Sequence, residues 1–520
     1  MFKKGSEWRQ WDLHIHTPAS YEWRGAKFNG EKQHDDRLVD EMIKHLNEAE
    51  PEVFALMDYF TFDGWFKLKN RLNEPDAPKL QKKVFPGIEL RICAPKIRLN
   101  VHAIFSDEVR DQDLKDFLAE QEIEENSKKL SQDNLIHFIR NTGEDFLLKN
   151  QIDLKRLESD DGYALEKACG FATLKRENYI SSIGNFDDCI AFMPWDTYNG
   201  LKEIDILQNY TFVMSIFKKS TIMESRNQDY RNLFLMKETE SNKRFIEVFK
   251  KSLDYTPRLV VAGSDAHRFT DYGIFPSEKK TWIKADPTFK GLKQAIKEPE
   301  NRSYIGVMPE KMNSKLGKGS YFIDKISINK KEDAKLSAHW LNQTNLDLNH
   351  DLVAIIGKKG SGKSALADVI SLLGNSKSGG AHFSFLKDGR FKGKNGFAKD
   401  FEATLTWLNQ NESTKNLNDP IDNNSIEKIR YIPQEYFEKL CNANGDKTEF
   451  QSELNKVIFS YLDTEEKENS IDLDELIQKK EEVLKRRLDH LYLQLNEINN
   501  QISTLESKSQ ITIKKVLESK

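Results

Sequence analysis

The sequence predicts an α/β protein in three parts: a parallel strand–helix barrel over residues 1–310, a second α/β lobe over 311–470 and a coiled-coil helix over 471–520. Three observations predict it. Short apolar runs through the first part end in an acid or a histidine, with amphipathic charged segments between many of them. A later run, Leu352 to Ile356, ends at once in G-x-x-x-x-G-K-S, and the helical pattern Ala365 to Leu373 follows. From Leu484 onward, apolar residues recur at alternating spacings of four and three.

At 520 residues the chain has room for two or more domains of about 150 residues each. It is 38% hydrophobic and 31% charged, as a globular protein with a charged helical portion would be. The formal net charge of -4 supplies no global field for nucleic acid, so any such contact must be local. Cys93, Cys169, Cys189 and Cys441 are far apart and form no C-x-x-C pair. That argues against a zinc knuckle or a disulfide framework and for a reducing compartment. No apolar run approaches the roughly 18 residues that span a membrane. No apolar stretch follows Met1-Phe2-Lys3-Lys4 as in a signal peptide, so a cytoplasmic location is expected.

The barrel begins at Asp12-Leu13-His14-Ile15-His16-Thr17. Alternating polarity reads as a strand, and period two puts His14 and His16 on one face, about 7 Å apart. Two imidazoles converging from one strand suit a metal. Further runs follow the same plan. Phe54 to Met57 ends in Asp58, Val84 to Ile88 in Glu89, and Thr221 to Met223 in Glu224. His102 sits within Val101 to Phe105, and Leu259 to Gly263 leads into Ser264-Asp265-Ala266-His267. Asp36 to Glu48 and Thr288 to Lys297 read as amphipathic helices. Repeated strand–helix units with polar strand ends predict a parallel barrel whose chemistry sits at the C-terminal strand ends. Arg226 and Arg268, near strand ends, are candidates to clamp phosphate, or surface arginines in ion pairs. Glu22 is a candidate replacement ligand or a solvated carboxylate. His34, His45 and His137 read as surface or core residues.

These residues resemble the metal motifs of the PHP (polymerase and histidinol phosphatase) domain. D-L-H-I-H-T, A-L-M-D, P-G-I-E, N-V-H and G-S-D-A-H occur in that order. The resemblance implies a distorted seven-stranded α/β barrel that binds two or three divalent metals (Mn, Zn or Fe) and hydrolyses phosphoesters. It implies His14, His16, Asp58, Glu89, His102, Asp265 and His267 as metal ligands, with Glu89 as the bridge. It makes Glu89, Asp265 and His267 the catalytic set. Two positions depart from the pattern: Tyr59 replaces the histidine of T-D-H, and Met193 replaces a histidine before Pro194. Neither suits the implied metals.

The second lobe starts after the polar segment Lys311 to Ser320, which reads as a linker. Ile323 to Ile328 alternates as a strand. Leu352 to Ile356 reads as a buried strand, and Gly357, Gly360, Ser361 and Gly362 as a loop whose N–H groups cradle phosphates. Lys363 would reach the β- and γ-phosphates of ATP, and the Ser364 hydroxyl would hold Mg²⁺. Gly374 to Lys394 reads as a mobile excursion, locally basic through Lys387, Arg390, Lys392 and Lys394. Ile429 to Gln434 reads as a strand ending in glutamine, and resembles the Q-loop of ABC-type ATPases of the SMC-like branch.

Leu484, Leu488, Leu491, Leu495, Ile498, Ile502 and Leu505 form an a/d seam. A single amphipathic helix packed on the globular part is the other reading. In the SMC-like family the outgoing helix of an antiparallel coiled coil begins at this point. No Asp-Glu-terminated apolar run and no Leu-Ser-Gly-Gly signature follows Ser364. The expectation is that the missing ATPase half lies further along a longer chain or in a partner. The order of parts is similar to the TrlF-type family of bacterial proteins. That resemblance implies an ATP-regulated phosphoesterase, foremost a nuclease in phage defence or nucleic-acid processing, paired through its ATPase heads. The alternatives are a small-molecule phosphatase of histidinol-phosphate type and a non-catalytic barrel on an ATP-dependent DNA-binding protein.

Overall fold

The computed structural model describes residues 3–197, 199–337, 339, 341–377, 383–393, 396–432, 447–509 and 511–519. Nine strands form one sheet: β1 Trp8–Ile15, β2 Val53–Leu56, β3 Lys83–Ala94, β4 Ile97–Phe105, β5 Cys189–Pro194, β6 Ile222–Glu224, β7 Leu259–Val261, β8 Thr281–Lys284 and β9 Ser303–Ile305. Their order is β7-β6-β5-β4-β3-β2-β1-β8-β9, so the first seven stand side by side in chain order. Just past β7, Ala266 forms a bridge with Ile15 of β1, and His16 N donates to Ala266 O at 3.0 Å. The seven strands therefore curl into a nearly closed ring. β8 and β9 extend it beside the start of β1.

The ring departs from the expected all-parallel order at β4. It pairs antiparallel with both β3 and β5. The cause is the connection. Only Pro95 and Lys96 separate β3 from β4, whereas a parallel return needs a crossover of a dozen or more residues. Lys96 takes φ 68°, the left-handed turn conformation that closes this hairpin. The remaining neighbours among β1–β3 and β5–β7 are parallel.

Both faces of the ring are covered, as short apolar runs require. Trp11, Leu13, Ala55, Phe85, Ile104 and Phe192 belong to one cluster, which Phe289, Leu292 and Ala295 of helix Phe289–Lys297 complete. The opposite face packs on helices such as Lys32–Glu48, which buries Leu38, Val39, Met42, Ile43 and Leu46 at spacings of one, three and four. Thr288 caps the helix Phe289–Lys297 by accepting from Gly291 N.

The chain divides into two compact units. One takes Met1–Ile326, Asn345–Ala354 and Thr406–Glu412; the other takes Ser327–Thr344, Ile355–Leu405 and Ser413–Lys520. A second sheet has four strands, β10 Ile323–Lys330, β11 Thr344–Asp347, β12 Phe401–Trp407 and β13 Glu412–Asn416, in the order β11-β10-β12-β13. β10 contains the predicted strand Ile323 to Ile328. The segment Lys311 to Ser320 is not a plain linker, since it holds one helical turn, Glu310–Asn313, and the start of another, Gly319–Tyr321.

Three further expectations for the second lobe are corrected. Leu352 to Ile356 is not a strand, and Leu352 and Ile356 are 89% exposed. No described strand pairs with this run, so it lacks the ladder bonds and burial that its apolar character calls for. Ile429 to Ile432 is also irregular. The described part of Gly374 to Lys394 is packed rather than loose: Phe383, Leu386 and Phe391 are buried, and the buried Asp368 accepts from Phe385 N and Leu386 N. The helix after the phosphate loop does form, at Lys363–Leu373, and so does a long helix at Leu473–Ser509. Leu484, Leu488, Leu491, Leu495, Ile498, Ile502 and Leu505 are exposed along it, so the seam stands without a described partner helix. No described helix is long and apolar enough to cross a membrane.

Candidate metal centre

The site is built at one end of the ring, where strand ends converge. β1 delivers His14 and His16, helped by an irregularity in its register with β2 between Asp12 and Ile15. Their rings stand 5.3 Å apart, on one face as period two requires. The β3–β4 hairpin sets Glu89 directly opposite His102. β6 ends in Glu224, and the loop after β7 carries Asp265 and His267.

The groups interlock. His14 Nε2 lies 3.2 Å from Glu89 Oε2, and its Nδ1 lies 3.1 Å from Glu224 Oε2. His102 Nε2 is 3.5 Å from Glu89 Oε1. Asp265 Oδ1 is 3.5, 3.4 and 3.3 Å from Nε2 of His14, His16 and His267. Asp265 holds this place with φ 56°, a left-handed conformation rare outside glycine and suited to a functional constraint. Three overlapping sets result: His14, His16 and Glu89; His14, His102 and Glu224; His16, Asp265 and His267. Within each, the donor atoms lie within 4.8 Å of one another.

Divalent metals fit these residues. His16 Nε2, His102 Nδ1 and Nε2, and His267 Nδ1 are buried with no hydrogen-bond partner. Buried nitrogens without partners are costly, and a cation would satisfy those that face the cluster. The mixed imidazole and carboxylate donors suit Zn, Mn or Fe. Titration behaviour agrees. Burial pulls His16 down to about 4, leaving a neutral imidazole whose lone pair is free. Burial would also pull His14 down, but the charge of Glu224 and bonds to Glu224 and Glu89 outweigh it and raise it well above the usual range. Burial pushes Asp265 up; the His16 and His267 imidazoles close beside its carboxylate reverse this and hold it far below the usual carboxylate range. Burial pushes Glu89 up as well, but the neighbouring His102 imidazole and the bond from His14 outweigh it and depress the carboxyl. A cation would displace the proton that His14 otherwise carries.

A supporting layer fixes these side chains. Asn100 Nδ2 donates to Glu89 Oε1 at 2.6 Å. Gly263 N donates to Glu224 Oε1 at 3.2 Å. Tyr179 and Tyr272 donate to the carbonyls of His102 and His16, each at 2.8 Å. Asp12 accepts from Ser264 N at 3.0 Å and Gly273 N at 3.1 Å, tying β1 to the loop that carries Asp265.

Six of the predicted ligands, His14, His16, Glu89, His102, Asp265 and His267, come together. Asp58 stands outside all three sets. Its oxygens accept from Thr17 N and Thr17 Oγ1, both at 2.7 Å, so it anchors the turn after His16. Glu224 joins them, and its signal in the sequence is the same acid at the end of a short apolar run. Tyr59 is buried and stacks on the His16 ring at 5.1 Å, and Met193 is buried in the apolar core. Arg226 lines the cavity at the site and donates to Gly263 O, whereas Arg268 is exposed. His34 bonds Lys27 O and His45 stacks on Phe269, away from the site. The cavity has a volume of about 330 Å³.

The predicted phosphate loop keeps part of its geometry. Gly360 and Gly362 have φ of 86° and 97°, which glycine permits and other residues resist. Lys363 Nζ donates to Gly357 O at 2.8 Å and Lys358 O at 3.1 Å, so its ammonium sits folded over its own loop. Ser361 and Ser364 are exposed beside it. Gln434 lies outside the described residues.

No family model matches the chain, and no curated protein does. Solved structures do. An amidohydrolase from Chromobacterium violaceum with bound sulfate is 12% identical, covering 51% of this chain and 91% of that one, with a TM-score of 0.28. A lesion-specific endonuclease from Pyrococcus furiosus is 13% identical, covering 57% and 58%, with a TM-score of 0.33. A protein from Bifidobacterium adolescentis described as a metal-dependent phosphoesterase is 11% identical, covering 50% and 89%, with a TM-score of 0.25. Scores this low leave the assignment of chemistry to the residues of the site.

Proposed function

We propose that the chain is a metal-dependent phosphoester hydrolase of PHP type. The observation that carries this reading is the convergence of His14, His16, Glu89, His102, Glu224, Asp265 and His267, with several buried imidazole nitrogens lacking partners. Glu89 would serve as the bridge; that its two oxygens face His14 and His102 separately supports this. Bound divalent ions supply a water of lowered pKa and neutralise charge that grows on a phosphoryl group. The chain's own residues position and exclude. Asp265 aligns three imidazoles through one oxygen, Asn100 orients Glu89, and the ring walls keep bulk water from the buried donors.

Within this reading the foremost substrate is nucleic acid, and ATP with Mg²⁺ at Gly357 to Ser364 regulates the hydrolase. The left-handed glycines before the helix Lys363–Leu373 support the nucleotide site. The paired ATPase heads and the phage-defence setting rest on the TrlF-type order of motifs. A second reading, a small-molecule phosphatase, is favoured by the 330 Å³ cavity with Arg91 and Arg226 among its lining residues. Hydrolysis of single-stranded DNA, RNA and p-nitrophenyl phosphate by Mn²⁺-supplemented protein separates them. Cleavage of the polymers supports the nuclease, cleavage of the monoester alone supports the phosphatase, and no turnover with any divalent metal removes both.

A further inference from the structure

Arg91 lies two residues after Glu89 on β3, so both side chains leave the same face of the strand. It is 3% exposed and lines the same cavity as His14, Glu89 and Asp265. Its guanidinium is sandwiched, 5.5 Å from the Tyr21 ring centre and 4.8 Å from that of Tyr59. Its Nε is buried with no hydrogen-bond partner. Its carboxylate partner is Glu22, reached from Nη2 at 3.1 Å. A buried guanidinium is a planar fork suited to two oxygens of one anion, and here half of the fork is unused.

Glu22 is placed as an anion would be. Its side chain is 36% exposed, on the loop after His16. Oε1 accepts from Arg91 and, at 2.6 Å, from Tyr21 Oη. Oε2 faces His267 Nε2 at 3.9 Å. One carboxylate thus spans the distance from the arginine to the metal-ligand cluster. A phosphoryl group bound at that cluster would present its oxygens to the same two neighbours. Tyr59, standing where the related motif has a histidine, supplies a flat wall to the guanidinium.

Resting on the phosphoesterase reading, we infer that Arg91 is the anchor for a non-bridging phosphoryl oxygen of the substrate, and that Glu22 is its built-in competitor, displaced when the phosphate ester binds. Arg91 then sets substrate affinity and alignment, and the Glu22 side chain swings aside as the anion enters.

The test is calorimetric titration of inorganic phosphate into the full chain supplemented with Mn²⁺, for wild type, Glu22→Gln and Arg91→Gln. Metal content and steady-state hydrolysis are measured beside it. Removing the competing charge in Glu22→Gln should tighten phosphate binding severalfold and lower KM, with metal content unchanged. Losing a charged bond to the anion in Arg91→Gln should weaken phosphate about ten- to a hundredfold and raise KM more than it lowers kcat. Glu22→Gln is an isosteric change at a half-buried loop residue that keeps an acceptor for Arg91 and Tyr21, so it decides the matter alone if Arg91→Gln fails to fold. Unchanged phosphate affinity in Glu22→Gln, or loss of metal from it, overturns the inference. A wild type that hydrolyses phosphoesters while both variants bind phosphate as it does removes only the anchor. A wild type that takes up no metal and turns over nothing, yet loses phosphate with Arg91, removes the hydrolase and leaves the anion site.

Discussion

Replacing Glu224 by Gln tests whether the site depends on an oriented His14. Glu224 is 1% exposed and faces His14 Nδ1 with both oxygens, at 3.2 and 3.1 Å. This contact keeps the proton on Nδ1 and leaves Nε2 directed at Glu89 and Asp265. Gln keeps the shape and one acceptor but removes the charge that raises His14. A hydrogen bond to a charged group is worth about 1.5–3 kcal/mol, and about 1.4 kcal/mol is a factor of ten. Metal binding should therefore weaken about ten- to a hundredfold, with Gln at the low end and Ala at the high end. Competition for Zn²⁺ against a chromophoric chelator reads this directly, with the melting temperature of the metal-free protein as the folding control. An affinity within about twofold of wild type, in a folded variant, would refute the orienting role.

Other perturbations follow from the same geometry. A Cβ at Gly263 would run into His14 Cβ and approach a Glu224 oxygen at 2.7 Å, so Gly263→Ala should destabilise by about 1–3 kcal/mol and lower metal content, read by thermal melting and elemental analysis. Burial raises Asp58 from 3.8 to about 7 despite its bonds to Thr17. A carboxyl raised on folding favours the folded state below its unfolded value and loses that contribution as pH rises through 7. Between about pH 4 and 7 this group alone should withdraw at most about 4 kcal/mol from the metal-free protein, so Asp58→Asn should gain stability relative to wild type across that window in denaturant titrations. Lys363→Ala should abolish binding of a fluorescent ATP analogue while changing stability by no more than about 0.5 kcal/mol, because its contacts are to exposed loop carbonyls.

Much of the barrel was legible because its physics is local. The candidate ligands follow or interrupt short apolar runs, so Glu89, His102, Asp265 and His267 could be placed before their partners were known, although Glu89 and His102 lie inside β3 and β4 rather than at their ends. The antiparallel turn at β4 was legible in principle, since Pro95-Lys96 leaves no room for a crossover. Asp58 is ambiguous in the sequence because a strand-end acid can serve a neighbouring backbone N–H as well as a metal, and in the structure it serves Thr17. Arg91 and Asn100 carry no sequence signal: they matter because the β3–β4 hairpin sets them around Glu89. The second lobe was harder. The apolar character of Leu352 to Ile356 states that the run needs partners, but not where they are. The seam from Leu484 to Leu505 likewise specifies a face and not its occupant.

Metal content decides whether the converging histidines and acids hold divalent ions. Elemental mass spectrometry of the purified chain, beside Asp265→Ala/His267→Ala, tests it most directly. Two or more Mn, Zn or Fe ions per wild-type chain are expected, with a loss of at least one in the variant, whose melting temperature in chelator matches wild type. Little or no metal in the folded wild-type protein, even after incubation with each ion, would contradict it.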